Sequence, residues 1–249
     1  MSSTVQSANS ANRARNFLWA TFFVMGISSM AWVPRIPEIK EQLNYGDGAF
    51  GFIILAGAIG SVLGAQISGR AILLIASRTF MRLTSITMSL GIYTMGSAHG
   101  ASTLVIGLLL TGLSFAALDV AANVQAMAIE KLTKARYMSS FHAMWSIGAF
   151  AVTLVGGILA RILTPSEHLK SLAVIALVSY QFTITWLLPA DLDGHKGEAH
   201  ESTEAKVPLF GKKVMTLWAL GIGLMASLDR KSTRLNSSHE WISRMPSSA

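Results

Sequence analysis

Charged residues interrupt this chain at intervals matched to the thickness of a bilayer. A helix rises about 1.5 Å per residue and needs about 20 mostly apolar residues to cross the hydrocarbon. Uncharged runs fill 16–34 (19 residues), 48–69 (22), 137–160 (24) and 171–190 (20). Between Arg82 and Asp119 there are 36 uncharged residues, too many for one helix. The small-residue cluster Ser97-Ala98-His99-Gly100-Ala101-Ser102 carries turn signals, so it divides that run into two spans, the second continuing past Asp119 to about Met127. The gaps predict an all-α membrane protein with a six-helix transmembrane bundle. A last uncharged run, Val214 to Leu228, has only 15 residues and reads as the start of a seventh helix. Composition agrees: 13% of residues are charged, against about 25% in soluble domains.

The basic residues give an orientation. With the N-terminus inside, the inner segments hold 12 Lys and Arg, and the outer loops hold four: Arg35, Lys40, Arg161 and Lys170. That bias predicts a multi-pass protein of the inner or plasma membrane with a cytoplasmic N-terminus. The formal net charge of +7 is scattered between spans and forms no basic patch with interleaved aromatics, so no nucleic-acid partner is expected. The chain has no Cys, which excludes disulfides and thiolate metal sites. His195 and His200 fall in a polar segment that reads as a solvated loop; no metal site and no cofactor are expected. Met1 to Asn12 is polar and rich in Ser, Asn and Ala. The first apolar run ends at Pro34-Arg35 without a small-residue cleavage site, so it does not read as a signal peptide.

Asp119 is the one acid inside these spans. A carboxylate in hydrocarbon costs roughly 2.5–3.5 kcal/mol on insertion scales, so it should face a bundle interior or a wet cavity. Asn123, four residues on, shares its helical face. The pair reads as a substrate or proton site; the alternative is a structural hydrogen bond to a neighbouring helix. His142, near the start of span five, can relay protons or bind substrate, or be an interfacial histidine bonded to Ser139 or a main-chain carbonyl. Trp145 lies on the same face and can stack on a sugar ring or anchor at the interface. Trp32 reads as an external belt residue. Arg35 and Glu38 read as a solvated loop pair, and Gln125 as a contact to a neighbouring helix. Gly60 and Gly64 have GxxxG spacing, and Gly148, Gly156 and Gly157 are read likewise: small residues that let helices approach within one molecule, or at a dimer interface. No catalytic set, phosphate loop or HExxH occurs, so no enzyme is expected.

Six spans with the N-terminus inside, a charged loop and a seventh span resemble the first half of a major facilitator superfamily transporter. Trp32-Val33-Pro34-Arg35-Ile36-Pro37 resembles the first external loop of the fucose-permease-like branch. Leu118-Asp119-Val120-Ala121-Ala122-Asn123 is similar to that branch's fourth-helix motif, and Ser139-Ser140-Phe141-His142-Ala143-Met144-Trp145-Ser146-Ile147-Gly148 to the fifth-helix entry of its uncharacterised transporters. The resemblance spans about residues 15–228. It implies two inverted three-helix repeats and a proton-driven secondary transporter, monomeric at full length, that moves a small polar solute, possibly a sugar, by alternating access. Asp119 matches the coupling carboxylate and Asn123 the substrate-bonding amide, and by the same analogy Trp32 becomes a cavity wall. Gly69, Arg70 and Arg78 match the gating loop between spans two and three. Two features depart from the pattern: span one has no second carboxylate near Trp32 and Val33, and Leu73 stands where the loop's Asp belongs.

The expected organisation is a polar N-terminus at 1–15, the bundle at 16–188, a cytoplasmic linker at 189–213, a partial seventh span at 214–228 and a tail at 229–249. The tail resembles translated vector sequence, which makes the chain a fragment; a genuine tail after a short seventh helix is the alternative. A reading from another class is a membrane sensor or assembly partner built on a transporter-like bundle.

Overall fold

A computed structural model describes residues 2–193, with side chains from residue 9 onward. Every regular element among them is helical: α1 (Ser2–Met30), a 3-10 turn (Val33–Arg35), α2 (Ile36–Gln42), α3 (Asp47–Leu74), α4 (Ser77–Gly96), α5 (Ala101–Thr133), α6 (Met138–Leu159) and α7 (Pro165–Thr185). The break expected at 97–102 falls where α4 gives way to α5. The polar segment 1–15 is continuous with the first span, and its Ala11 and Ala14 are buried. The seventh span and the tail, and all of the linker beyond 193, lie outside the described residues.

Among the described residues, four stretches are long and apolar enough to cross a membrane: Asn9–Gln42, Asp47–Leu74, Ala101–Thr133 and Met138–Leu159. At 20 and 21 residues, α4 and α7 have the length but are less apolar. They pack on each other, and α4 turns Thr84, Ser85 and Ser89 inward. A helix with neighbours on several sides need not be apolar throughout, and the uncharged stretches of these two helices lie within the runs that the charge spacing marked.

Successive long helices alternate between two ends of the bundle. At one end, Arg15 of α1 donates to the Tyr137 hydroxyl before α6 (3.1 Å), Arg13 lies over the Trp186 ring after α7, and Gln125 of α5 bonds Ser77 of α4. At the opposite end Pro34 meets Gly156 of α6, and Gly96 of α4 meets Leu169 of α7. We call the first the basic end.

Helix α3 packs on α5, α1 on α6, α4 on both α5 and α7, and α1 on α5 and α7. Two of these pairs run parallel and lean on glycine. A Cβ at Gly60 would lie 2.3 Å from the Leu109 carbonyl oxygen, at Gly64 2.1 Å from that of Leu113, and at Gly112 2.0 Å from that of Gly57. A Cβ at Gly26 would lie 2.0 Å from the Trp145 carbonyl oxygen, and at Gly148 2.2 Å from that of Phe23. Only glycine permits main chains this close. The GxxxG pair therefore packs within the molecule, as does Gly156. Gly157 corrects its expectation: a Cβ there meets nothing within 4 Å, because adjacent helical residues point about 100° apart.

Polar anchors hold the ends. Glu130 Oε1 accepts from the Tyr137 amide and from the Met138 amide (2.8 Å), so α5 caps the start of α6. Thr164 and Glu167 form a capping box on α7. The Thr164 amide and hydroxyl hold the exposed Glu167 carboxyl below the usual carboxylate range. Gln125, fully buried, donates to Ser77 Oγ (2.7 Å) and the Leu188 carbonyl (3.0 Å) and accepts from the Leu188 amide (3.0 Å). Asp193 Oδ2 accepts from the Ser77 amide (2.9 Å) and hydroxyl (2.7 Å). Gln125 thus meets neighbouring helices, as expected from the sequence.

Candidate functional site

On α5, Leu118, Ala121 and Ala122 are fully buried. Asp119 and Asn123 lie between these positions, at the half-buried edge of the same helix. Asn123 Nδ2 donates to the Asp119 main-chain carbonyl (2.9 Å). That bond uses one of the two amide protons and leaves the Asn123 carbonyl oxygen as an acceptor. The Asn123 side chain also acts on the Asp119 carboxyl, and so does His142 across from α6.

His142 is exposed, and its ring stands edge-on to Phe22 of α1, 5.4 Å between centroids. It makes no hydrogen bond to Ser139 or to a main-chain carbonyl among the described residues. Trp145 lies one turn further along α6, half-buried, with its ring 6.4 Å from Phe115 of α5. Its Nε1 is buried with no partner among the described residues. Three helices therefore bring Asp119, Asn123, His142 and Trp145 into one neighbourhood: a carboxyl, an amide, an imidazole and an indole donor, bordered by Phe22 and Phe115. That set can exchange protons, hydrogen-bond hydroxyl groups and offer an aromatic face. The parallel contact of α1 with α6 brings the parts together, and it rests on Gly26, which no spacing in the sequence singled out.

Other expected residues lie elsewhere. Trp32 lies past the end of α1, at the start of the 3-10 turn and ten residues beyond Phe22, half-buried and packed on the core. In the gating loop, Gly69 has open space where a Cβ would go. Arg70 is exposed and makes no hydrogen bond or ion pair among the described residues. Arg78 is tied in: its guanidinium donates to the Thr185 carbonyl of α7, and Arg82 donates to the Thr185 hydroxyl (3.3 Å). With Leu73 exposed, the basic end is held by Ser77, Arg78, Gln125 and Asp193 instead of a loop acid.

Arg35 corrects the reading of a solvated pair. Its side chain is fully buried. Nε donates to His168 Nδ1 (2.9 Å) and Nη1 donates to both oxygens of Glu38 (2.9 and 3.2 Å), while Glu38 is part-exposed. The charge spacing gave no sign of this, because the acceptor lies 133 residues away on α7.

Four helical stretches among the described residues long and apolar enough to cross a membrane make this a multi-pass membrane protein. The family model of the Major Facilitator Superfamily matches residues 18–229, and the chain belongs to that family. It is 28% identical over 189 residues to an uncharacterized MFS-type transporter of Yersinia pestis, a match covering 76% of this chain and 47% of that protein. It is 32% identical over 143 residues to an uncharacterized transporter of Sinorhizobium fredii, covering 57% and 38%. Over 141 residues it is 27% identical to human sodium-dependent glucose transporter 1, covering 55% and 27%. The chain spans half or less of the length of these relatives. They point to a transporter rather than an enzyme.

Proposed function

We propose that this chain forms the N-terminal half of a secondary transporter that couples a proton gradient to movement of a small neutral polar solute, a sugar by class, through alternating access. The observation that carries this reading is Asp119: an intramembrane acid at the edge of α5, facing His142 and flanked by Asn123 and Trp145. A carboxyl that binds a proton from one side and releases it to the other, while hydroxyl-bonding groups hold the solute beside it, suffices for coupling. The name of the human relative, a sodium-dependent glucose transporter, supports a sugar as the solute. The exposed His142 and half-buried Asp119 suit a wall completed by further helices.

The helix pairing supports two inverted repeats, α1-α3-α4 and α5-α6-α7. Exchanging α1 with α5, α3 with α6 and α4 with α7 turns the α3–α5 pair into α6–α1 and the α4–α5 pair into α7–α1, all of which are observed. Both parallel pairs use glycine against main chain. The basic end faces the cytoplasm of a cell-membrane protein, since it holds eight Lys and Arg among the described residues against four at the other.

Uptake of radiolabelled neutral hexoses by vesicles carrying the full gene product tests the reading. Acid outside should drive accumulation and removal of sodium should leave it unchanged. Sodium-driven uptake would move the coupling to that ion, and absence of flux across the panel would favour the sensor or assembly reading.

A further inference from the structure

The mid-helix site is not the only place where this chain can bind a proton. Arg35, at the end of the bundle opposite the basic end, is a fully buried guanidinium that aims Nε at His168 Nδ1, 2.9 Å away. A guanidinium carries only donors, so Nδ1 must be the acceptor, and the imidazole is neutral with its proton on Nε2. A second proton would occupy the lone pair that Arg35 needs and would set an imidazolium against a guanidinium. His168 is itself buried, so neither cation can turn to water without the packing opening.

The surroundings supply little to hold two positive charges. The charged groups acting on His168 are Arg35 from the 3-10 turn and Glu38 from α2. Glu38 is already engaged by Arg35 Nη1, and Arg35 Nη2 is buried with no partner among the described residues. From α6 the neighbour is Gly156, where a Cβ would touch both Pro34 and the imidazole Cε1. On its own helix, Glu167 is spent in the capping box and Lys170 lies over the Tyr93 ring of α4.

We propose that His168 is a second proton-binding site and that its protonation releases the segment Val33–Gln42 from the start of α7. Neutral His168 holds the segment down through Arg35, and Ile39 is packed beneath it at 5% exposure. Burial, and then the neighbouring Arg35, press the imidazole below the ordinary histidine range, with Glu38 opposing in part. The sign follows: the unfolded or released segment binds the proton more readily, so the contact is intact above about pH 6.5 and weakens as pH falls below it. The device is independent of the transport reading, since it needs only this end of the bundle.

The chain contains no Cys, so single thiols report without background. Ile39→Cys and, as an exposed reference, Glu41→Cys would be labelled with a water-soluble maleimide on the full 249-residue chain in detergent micelles. Taking the ratio of their rates removes the intrinsic pH dependence of the thiol. The ratio should rise about tenfold or more between pH 7.5 and 5.5, following the protonated fraction of a histidine that titrates at or below 6.5. In His168→Gln, and equally in His168→Asn, the ratio should be flat with pH. A flat ratio in the parent chain, the same pH response without His168, or equal labelling of both thiols at pH 7.5 would overturn the proposal.

Discussion

Replacing Gly148 by alanine tests how the site is assembled. The added Cβ would lie 2.2 Å from the Phe23 carbonyl oxygen, where ordinary contact begins at 3.4 Å. Both atoms belong to helix backbone, so no side chain can rotate away, and α1 and α6 must separate by about 1 Å. Overpacking of this kind costs about 1–3 kcal/mol. Alanine's better helix propensity offsets up to about 1 kcal/mol of it, leaving a net loss between zero and about 3 kcal/mol. Gly157→Ala, on the same helix, meets nothing within 4 Å and keeps only the propensity gain, between zero and about 1 kcal/mol. The two variants share chemistry, helix and added volume, so their difference isolates the interlock. Equilibrium unfolding in mixed micelles, followed by tryptophan fluorescence, measures it. Equal stabilities, or a larger loss at Gly157, would refute the reasoning that glycine-to-carbonyl contact seats α1 on α6.

Two further predictions concern the anchors. Gln125→Leu leaves the Leu188 amide and carbonyl without their buried partner, while the Ser77 hydroxyl keeps its bond to Asp193, and each orphaned group costs about 1–3 kcal/mol. The same unfolding assay should show a loss of at least about 2 kcal/mol, and a neutral result would mean that water reaches that end. For the capping box, the depressed carboxyl of Glu167 stabilises the start of α7 above its unfolded value near 4.5, and that contribution fades as pH falls through the lower folded value. Thr164→Ala should erase this acid-range dependence, seen as loss of the pH effect on amide exchange across residues 165–170.

What the sequence made legible follows from what charge and size announce locally. The charge-free gaps located all six long helices, and the Ser97–Ser102 cluster located the break after Gly96. Asp119 and Asn123 stood out because an acid between apolar residues has no bland surroundings, and the i, i+4 spacing put them on one face. Long-range partners were not legible. Arg35 and Glu38 look like any charged loop pair; only His168, 133 residues on, makes Arg35 an interior residue. Gly156 and Gly157 are indistinguishable in sequence, yet one abuts Pro34 and the other faces open space. Gly26 carries no spacing signal, because its partner surface is the backbone of a helix more than 100 residues later. The gating loop was read by family pattern, and its substitute at the basic end, Ser77 with Gln125 and Asp193, required packing to be seen.

The most direct test of the central claim is hexose accumulation by Asp119→Asn in vesicles bearing the full gene product. One proton moving down 100 mV supplies about 2.3 kcal/mol, enough for about fiftyfold accumulation of a neutral solute. The parent protein should approach that ratio when vesicles are energised. The Asn variant, isosteric but unable to carry the proton, should exchange labelled hexose across the membrane without concentrating it. Accumulation by Asp119→Asn at the parent level would contradict the coupling role assigned to this carboxyl.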